Sequence, residues 1–195
     1  MTLEHVASQR DEVLFFLRRW VRHPLRLGAV IPSSKALTTL VAEQVKLRPN
    51  RIIVELGPGT GCLTRSLLEA GVPTERLFVV ELDPELCSYL KKSLPNVQVI
   101  HGNACDLPAL IPQQYHGCVS TVISGIPMTT LSQETQRSII SAAFSLMDEE
   151  GDMLQYTYRP VSPIPAGRLG LSKERVGVIF RNLPPATVWR YQRAA

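Results

Sequence analysis

Residues 51–61 read RIIVELGPGTG, and no other stretch narrows the possible folds as much. The aliphatic run predicts a buried strand, three glycines spaced two apart close it, and CLTRSLLEA then predicts a helix. Further short apolar runs alternate with helix-like stretches, the pattern of an open, mostly parallel sheet covered by helices. Strands are expected at 76–81, 97–101, 118–124 and 152–158, and helices at 10–22, 34–45, 61–70, 84–94 and 132–147. Ser33 or Ser34 and Ser132 offer N-cap oxygens, and Pro84 suits a first helical turn. Two last strands, 175–181 and 187–192, are joined by NLPPA, which suits a closing antiparallel hairpin. The fold class is therefore α/β: a mostly parallel seven-stranded sheet, helices on both faces, a C-terminal antiparallel hairpin and an N-terminal amphipathic helix. The expected division is a segment at 1–32 and a domain at 33–195.

At 195 residues the chain suits one well-buried domain. The apolar run VLFFL, residues 13–17, is flanked by acids and arginines and is too short to span a bilayer, and no export leader is visible. Four cysteines without CxxC spacing read as reduced thiols of a cytosolic protein, and four scattered histidines suggest no metal site. Charge is divided unevenly. Residues 1–35 carry six Lys/Arg against three acids, 36–158 carry eight against thirteen, and 159–195 carry seven against one. An anionic partner touched by both basic ends is one reading, and ordinary solvated charge is the other.

The glycine turn does not suit a phosphate. A P-loop needs a lysine after its glycines, and a GxGxxG turn fails because Cys62 occupies its sixth position. Glu55, two residues before Gly57, would repel a pyrophosphate and attract an ammonium or sulfonium. Glu81 closes the second strand 20 residues after Gly61, where a carboxylate can accept bonds from both ribose hydroxyls. Gly102, Asn103 and Ala104 follow the third strand where an adenine edge would lie, and the Asn103 carbonyl oxygen or Asp106 could read its amine. The turn suits a partly cationic nucleoside.

These residues resemble the class I S-adenosylmethionine-dependent methyltransferases, with their Rossmann-like fold. The resemblance implies S-adenosylmethionine as cofactor and S-adenosylhomocysteine as product. It implies a cofactor set of Glu55, Gly57, Pro58, Gly59, Thr60, Gly61, Glu81, Leu82, Asn103, Ala104 and Ser124. Glu55 would hold the amino group, often through water, and Glu81 the ribose. Members that act on adenine or glutamine amino groups carry Asn-Pro-Pro or a similar tetrapeptide after the fourth strand. Here the stretch is ISGIPM, with Ser124 in the asparagine's place and no aromatic after Pro127. That departure counts against a nucleobase target, although the Ser124 and Gly125 carbonyls could still orient an amine.

In the helix expected at 10–22, Val13, Leu14, Phe16, Leu17, Trp20 and Val21 share one face. Arg18, Arg19 and Arg22 take the other, with Phe15 among them. Such a helix suits a membrane surface or a dock on its own sheet. The stretches FFLRRWVRHPLRLGAVIPSSKAL, ELGPGTG, SGIP, YTYRPVSPIP and RNLPPATVWRY together resemble the bacterial soluble-type phospholipid N-methyltransferases. That family is itself similar to ribosomal RNA adenine dimethylases. The resemblance implies methylation of phosphatidylethanolamine towards phosphatidylcholine, with relatives acting on ornithine lipids. It implies a monomer, peripheral on the cytoplasmic face of the bacterial membrane and bound to anionic lipid, with no nucleic-acid partner. Ser124, Gly125, Pro127 and Tyr158 are the catalytic candidates. Phe15, Arg18, Arg19, Trp20, Arg22, Tyr156, Tyr158, Arg159 and Arg168 are the lipid-contact candidates, the tyrosines because aromatic faces attract methylated ammonium groups.

Overall fold

The computed structural model describes residues 34–180, 182 and 184–194. The expected N-terminal helix, with Phe15, Arg18, Arg19, Trp20 and Arg22, and the segment assigned to 1–32 lie outside the described residues.

Seven strands form one sheet in the order β3-β2-β1-β4-β5-β7-β6. They are β1 (Ile52–Leu56), β2 (Leu77–Glu81), β3 (Gln98–His101), β4 (Val119–Ser124), β5 (Met147–Thr157), β6 (Leu171–Ile179) and β7 (Ala186–Arg193). The first five are parallel, and β7 runs antiparallel to both β5 and β6. The helices are α1 (Lys35–Glu43), α2 (Cys62–Glu69), α3 (Pro84–Ser93), the single turn α4 (Leu107–Leu110) and α5 (Gln133–Leu146). Caps fix where they start: Ser34 Oγ accepts from the Leu37 amide, Asp83 from those of Glu85 and Leu86, and Ser132 Oγ from that of Thr135. Pro84 occupies the first turn of α3, as its fixed φ allows.

Alternation along each strand divides the core in two. Ile52, Val54, Leu56, Val122 and Met153 pack with Leu107, Ile139, Ile140 and Ala143 on the α4–α5 face. Ile53, Val79, Ile123 and Leu154 pack with Leu37, Leu63, Leu67 and Leu90 on the α1–α3 face. Both faces are covered, as the sequence pattern implies.

Two strands begin earlier than expected. β5 starts at Met147, because Met147 pairs with Val119 and Asp152 with Thr121, leaving 148–151 as an irregularity in the ladder. Asp148, Glu149, Glu150 and Gly151 lie between the helix and the strand expected from the sequence, and Arg48 and Arg51 hold Asp148 at 2.8 and 2.7 Å. These cations hold the Asp148 carboxyl below its usual range against the burial that would raise it. β6 starts at Leu171 rather than 175, because it is an edge strand whose polar Ser172, Lys173, Glu174 and Arg175 face solvent. Its ladder shifts register between Arg175 and Gly177. Asn182, in the turn before β7, accepts the Ser34 amide at 3.0 Å and so ties that turn to the start of α1. None of the helices among the described residues is long and apolar enough to cross a membrane.

Candidate active site

The strand order reverses between β1 and β4, and ligands of such sheets sit outside the carboxyl ends of the strands at that point. Three loops leave there at one level. Gly57 N–H donates to Val80 O at 3.0 Å, Gly102 N–H to Glu81 O at 2.9 Å, and Gly125 N–H to Leu56 O at 2.8 Å. Each bond extends the ladder one step past the strand, so the loops diverge only after these glycines. Gly57 has φ +66°, the left-handed region, which lets the chain turn at once into α2. A side chain at Gly125 would overlap the Tyr156 hydroxyl and come within 2.8 Å of Gly57 O.

Between the loops lies an open cleft whose lining includes Gly57, Gly59, Glu81 and Leu82. Asn103 and Ala104 from the β3 loop, and Gly125, Ile126 and Pro127 from the β4 loop, line it as well. No Lys, Arg or His is among its described lining residues. Glu81 is its carboxylate, 6% exposed, accepting the Asp83 amide at 2.9 Å and the Gly59 amide at 3.3 Å. Burial raises its pKa above the usual carboxylate range, and the backbone donors partly offset this.

Glu55 lies beneath the turn. β1 alternation puts it on the α2 face, 1% exposed, where its Oε2 accepts the Thr64 hydroxyl at 2.7 Å. Burial pushes its pKa up to about 7, with the nearby Glu81 adding to the rise and the Thr64 bond opposing it. A carboxyl raised from about 4.5 to about 7 loses stabilisation as pH climbs between those values. Glu55→Gln should therefore match the parent protein near pH 4.5 without cofactor. At pH 8 it should be more stable, by on the order of 3 kcal/mol at about 1.4 kcal/mol per pH unit. Urea unfolding at the two pH values measures the difference.

The expected site residues are thus only partly gathered. Gly57, Gly59, Glu81, Leu82, Asn103, Ala104, Gly125 and Pro127 meet in the cleft, whereas Glu55, Pro58, Thr60, Gly61 and Ser124 are not in its wall. Ser124 is fully buried, its Oγ accepting the Ile126 amide at 3.2 Å. The Asn103 carbonyl oxygen, expected to read an adenine amine, accepts the Cys105 amide at 3.0 Å and caps a 3-10 turn. Tyr156 and Tyr158 pack on the α1–α3 core face, while Arg159 and Arg168 are exposed outside the cleft wall. Leu86, Ile126 and Ile139 are wall residues that the sequence did not single out. Their apolarity was visible, but their convergence from three separate segments was not.

A carboxylate with no cation among the described lining residues suits a positively charged ligand and not a pyrophosphate. The model of the family described as ribosomal RNA adenine dimethylase matches residues 26–132. The chain belongs to that family. It is a class I methyltransferase, and its cofactor is S-adenosylmethionine. Among its relatives is an ornithine lipid N-methyltransferase from Singulisphaera acidiphila, 27% identical over 180 residues, 90% of this chain and 93% of the relative. A ribosomal RNA small subunit methyltransferase A from Chlorobium phaeobacteroides is 27% identical over 137 residues, 69% of this chain. The match spans 50% of that relative. Two solved structures share the fold. Precorrin-6y C5,15-methyltransferase from Geobacter metallireducens has a TM-score of 0.63 at 14% identity, covering 83% of this chain and 89% of its own. The 23S rRNA methyltransferase ErmE has a TM-score of 0.57 at 22% identity, covering 83% and 69%.

Proposed function

We propose that this family member methylates the primary amine of a membrane-lipid headgroup, with ornithine lipid and phosphatidylethanolamine as the two candidate acceptors. The observation that carries this reading is the end-to-end similarity to the ornithine lipid enzyme, against half-length similarity to the rRNA enzyme. When bound, S-adenosylmethionine supplies a methyl group on a positively charged sulfur, a leaving group already activated. The protein's part is to position, desolvate and match charge. Glu81 would hold the ribose, and Glu55 would face the methionine amino group from beneath the turn of Gly57, Pro58, Gly59, Thr60 and Gly61. Leu82, Gly102, Asn103 and Ala104 would flank the base. Ser124, Gly125 and Pro127 would present carbonyls and a close wall to the acceptor amine. Tyr156 and Tyr158, with Arg159 and Arg168, are the proposed headgroup contacts. The basic N-terminal stretch with Phe15, Arg18, Arg19, Trp20 and Arg22 is the proposed contact with anionic lipid on the inner face of the membrane.

A second reading, methylation of adenine in RNA, is favoured by the family model that the chain matches. Ser124-Gly125-Ile126-Pro127 speaks against it, because no aromatic follows the proline to stack on a base. Purified protein with radiolabelled cofactor should label ornithine lipid or phosphatidylethanolamine in vesicles, faster with added anionic lipid, and leave ribosomal RNA unlabelled. Labelled RNA with unlabelled lipid would reverse the assignment.

A further inference from the structure

Behind the β4 exit loop, the register of three strands sets Ser124, Gln155 and Trp189 in one row across β4, β5 and β7. Residues paired in this way share a sheet face, with Cβ atoms about 5 Å apart in the antiparallel pair. The first two grip Ile126 by both ends of its main chain. Its N–H donates to Ser124 Oγ at 3.2 Å, and its carbonyl accepts Gln155 Nε2 at 3.0 Å. Gln155 Nε2 also donates to Tyr156 O at 2.8 Å, so both amide hydrogens have acceptors and the amide orientation is fixed.

Two atoms of this row are left over. Gln155 is 1% exposed, and its Oε1 is buried with no hydrogen-bond partner among the described residues. The Trp189 Nε1–H, on the directly opposed residue, is likewise buried and unpartnered. Lys173 Nζ sits 5.9 Å from the indole ring centre, which leaves the N–H edge available. An acceptor and a donor that are both buried and both unmatched cost free energy unless something fills them. Their opposite polarity means that one group offering a donor and an acceptor together satisfies both.

We propose that Gln155 Oε1 and Trp189 Nε1–H form a two-point subsite for the acceptor headgroup: its amine donates to Oε1, and its anionic oxygen accepts from Nε1–H. This rests on the lipid reading above. A zwitterionic amine headgroup has that donor and acceptor, whether its anion is the carboxylate of ornithine lipid or the phosphate of phosphatidylethanolamine. A neutral amide is also the fitting acceptor. A carboxylate there would favour the ammonium form, whereas Oε1 orients the amine with less hold on its proton. The subsite adjoins the cleft through Ile126, which lines one and is gripped by the other.

Trp189→Phe removes the indole donor and keeps the aromatic packing. With vesicles of ornithine lipid or phosphatidylethanolamine in a phosphatidylcholine matrix, the variant should show KM for the lipid raised about tenfold, with kcat and cofactor affinity within twofold of the parent. The lipid whose KM rises identifies the anion that the subsite takes. In the parent protein, the Trp189 indole N–H resonance, assigned with Trp20→Phe, should move when short-chain lipid is added. That measurement stands even where Trp189→Phe folds poorly. A lowered Tm with unchanged KM and a stationary resonance would mean that the pair holds only a structural water, and would overturn the proposal. A parent protein that labels no lipid would overturn the functional reading itself, before any variant is made.

Discussion

Glu81→Ala binds S-adenosylmethionine about 100-fold more weakly than the parent protein, measured by calorimetric titration. The side chain is the one carboxylate in the described wall of the cleft and is 6% exposed, so it meets a ligand with little water between. Two hydrogen bonds from ribose hydroxyls to an ionised carboxylate contribute about 1.5–3 kcal/mol each. The whole of that is not lost, because water enters the space the side chain leaves. The variant also frees the amides of Gly59 and Asp83, which Glu81 now accepts at 3.3 and 2.9 Å, and the glycine turn loosens with them. Glu81→Gln keeps the length and one acceptor oxygen and should fall between the two. Affinity within threefold of the parent for Glu81→Ala would remove the ribose from this side of the cleft.

Gly125→Ala should lower kcat more than 100-fold while leaving a cooperative thermal transition. The added Cβ would overlap the Tyr156 hydroxyl and lie 2.8 Å from Gly57 O. Relief demands that the β4 loop and the glycine turn move apart. Both loops line the cleft, and a displacement approaching 1 Å at a reacting centre costs on the order of 100-fold in rate. Gly125→Ala with Tyr156→Phe removes one of the two clashes and leaves the other, so it should recover part of the lost rate. A single variant with near-parent kcat would mean that the two loops are not held in register during the reaction.

Much of the architecture was legible because each strand carries its own signal. The runs that became β1, β2, β3 and β4 are apolar and bounded by Gly, Pro or Asn, and Ser34, Pro84 and Ser132 mark helix starts. The failures are places where distant residues decide. The start of β5 at Met147 goes unmarked in the local sequence, because Arg48 and Arg51, about a hundred positions earlier, hold Asp148 beside the sheet. At the site, Glu81 was legible from its position at a strand end. Glu55 is legible as a cation-attracting acid before the glycine turn, while its place on the α2 face with Ile53 follows from β1 alternation and its partner Thr64 comes from the third position of α2. The Asn103 carbonyl oxygen shows the same limit, since a residue that can read a base can equally cap a turn. The pairing of Gln155 with Trp189 depends on the β5–β7 register, which no local pattern encodes.

β6 has no neighbouring strand on its outer side among the described residues, and β3 at the far end is four residues long. An open ladder invites a second molecule to continue it, but here the invitation is withdrawn at both borders. Lys173, Glu174 and Arg175 would have to be stripped of water, and the kink before Gly177 would throw any added chain out of step. The other border offers too little length to nucleate a partner. Concentrated preparations should accordingly resist fibril growth, and replacing those three charged side chains with threonine is the change that would invite it.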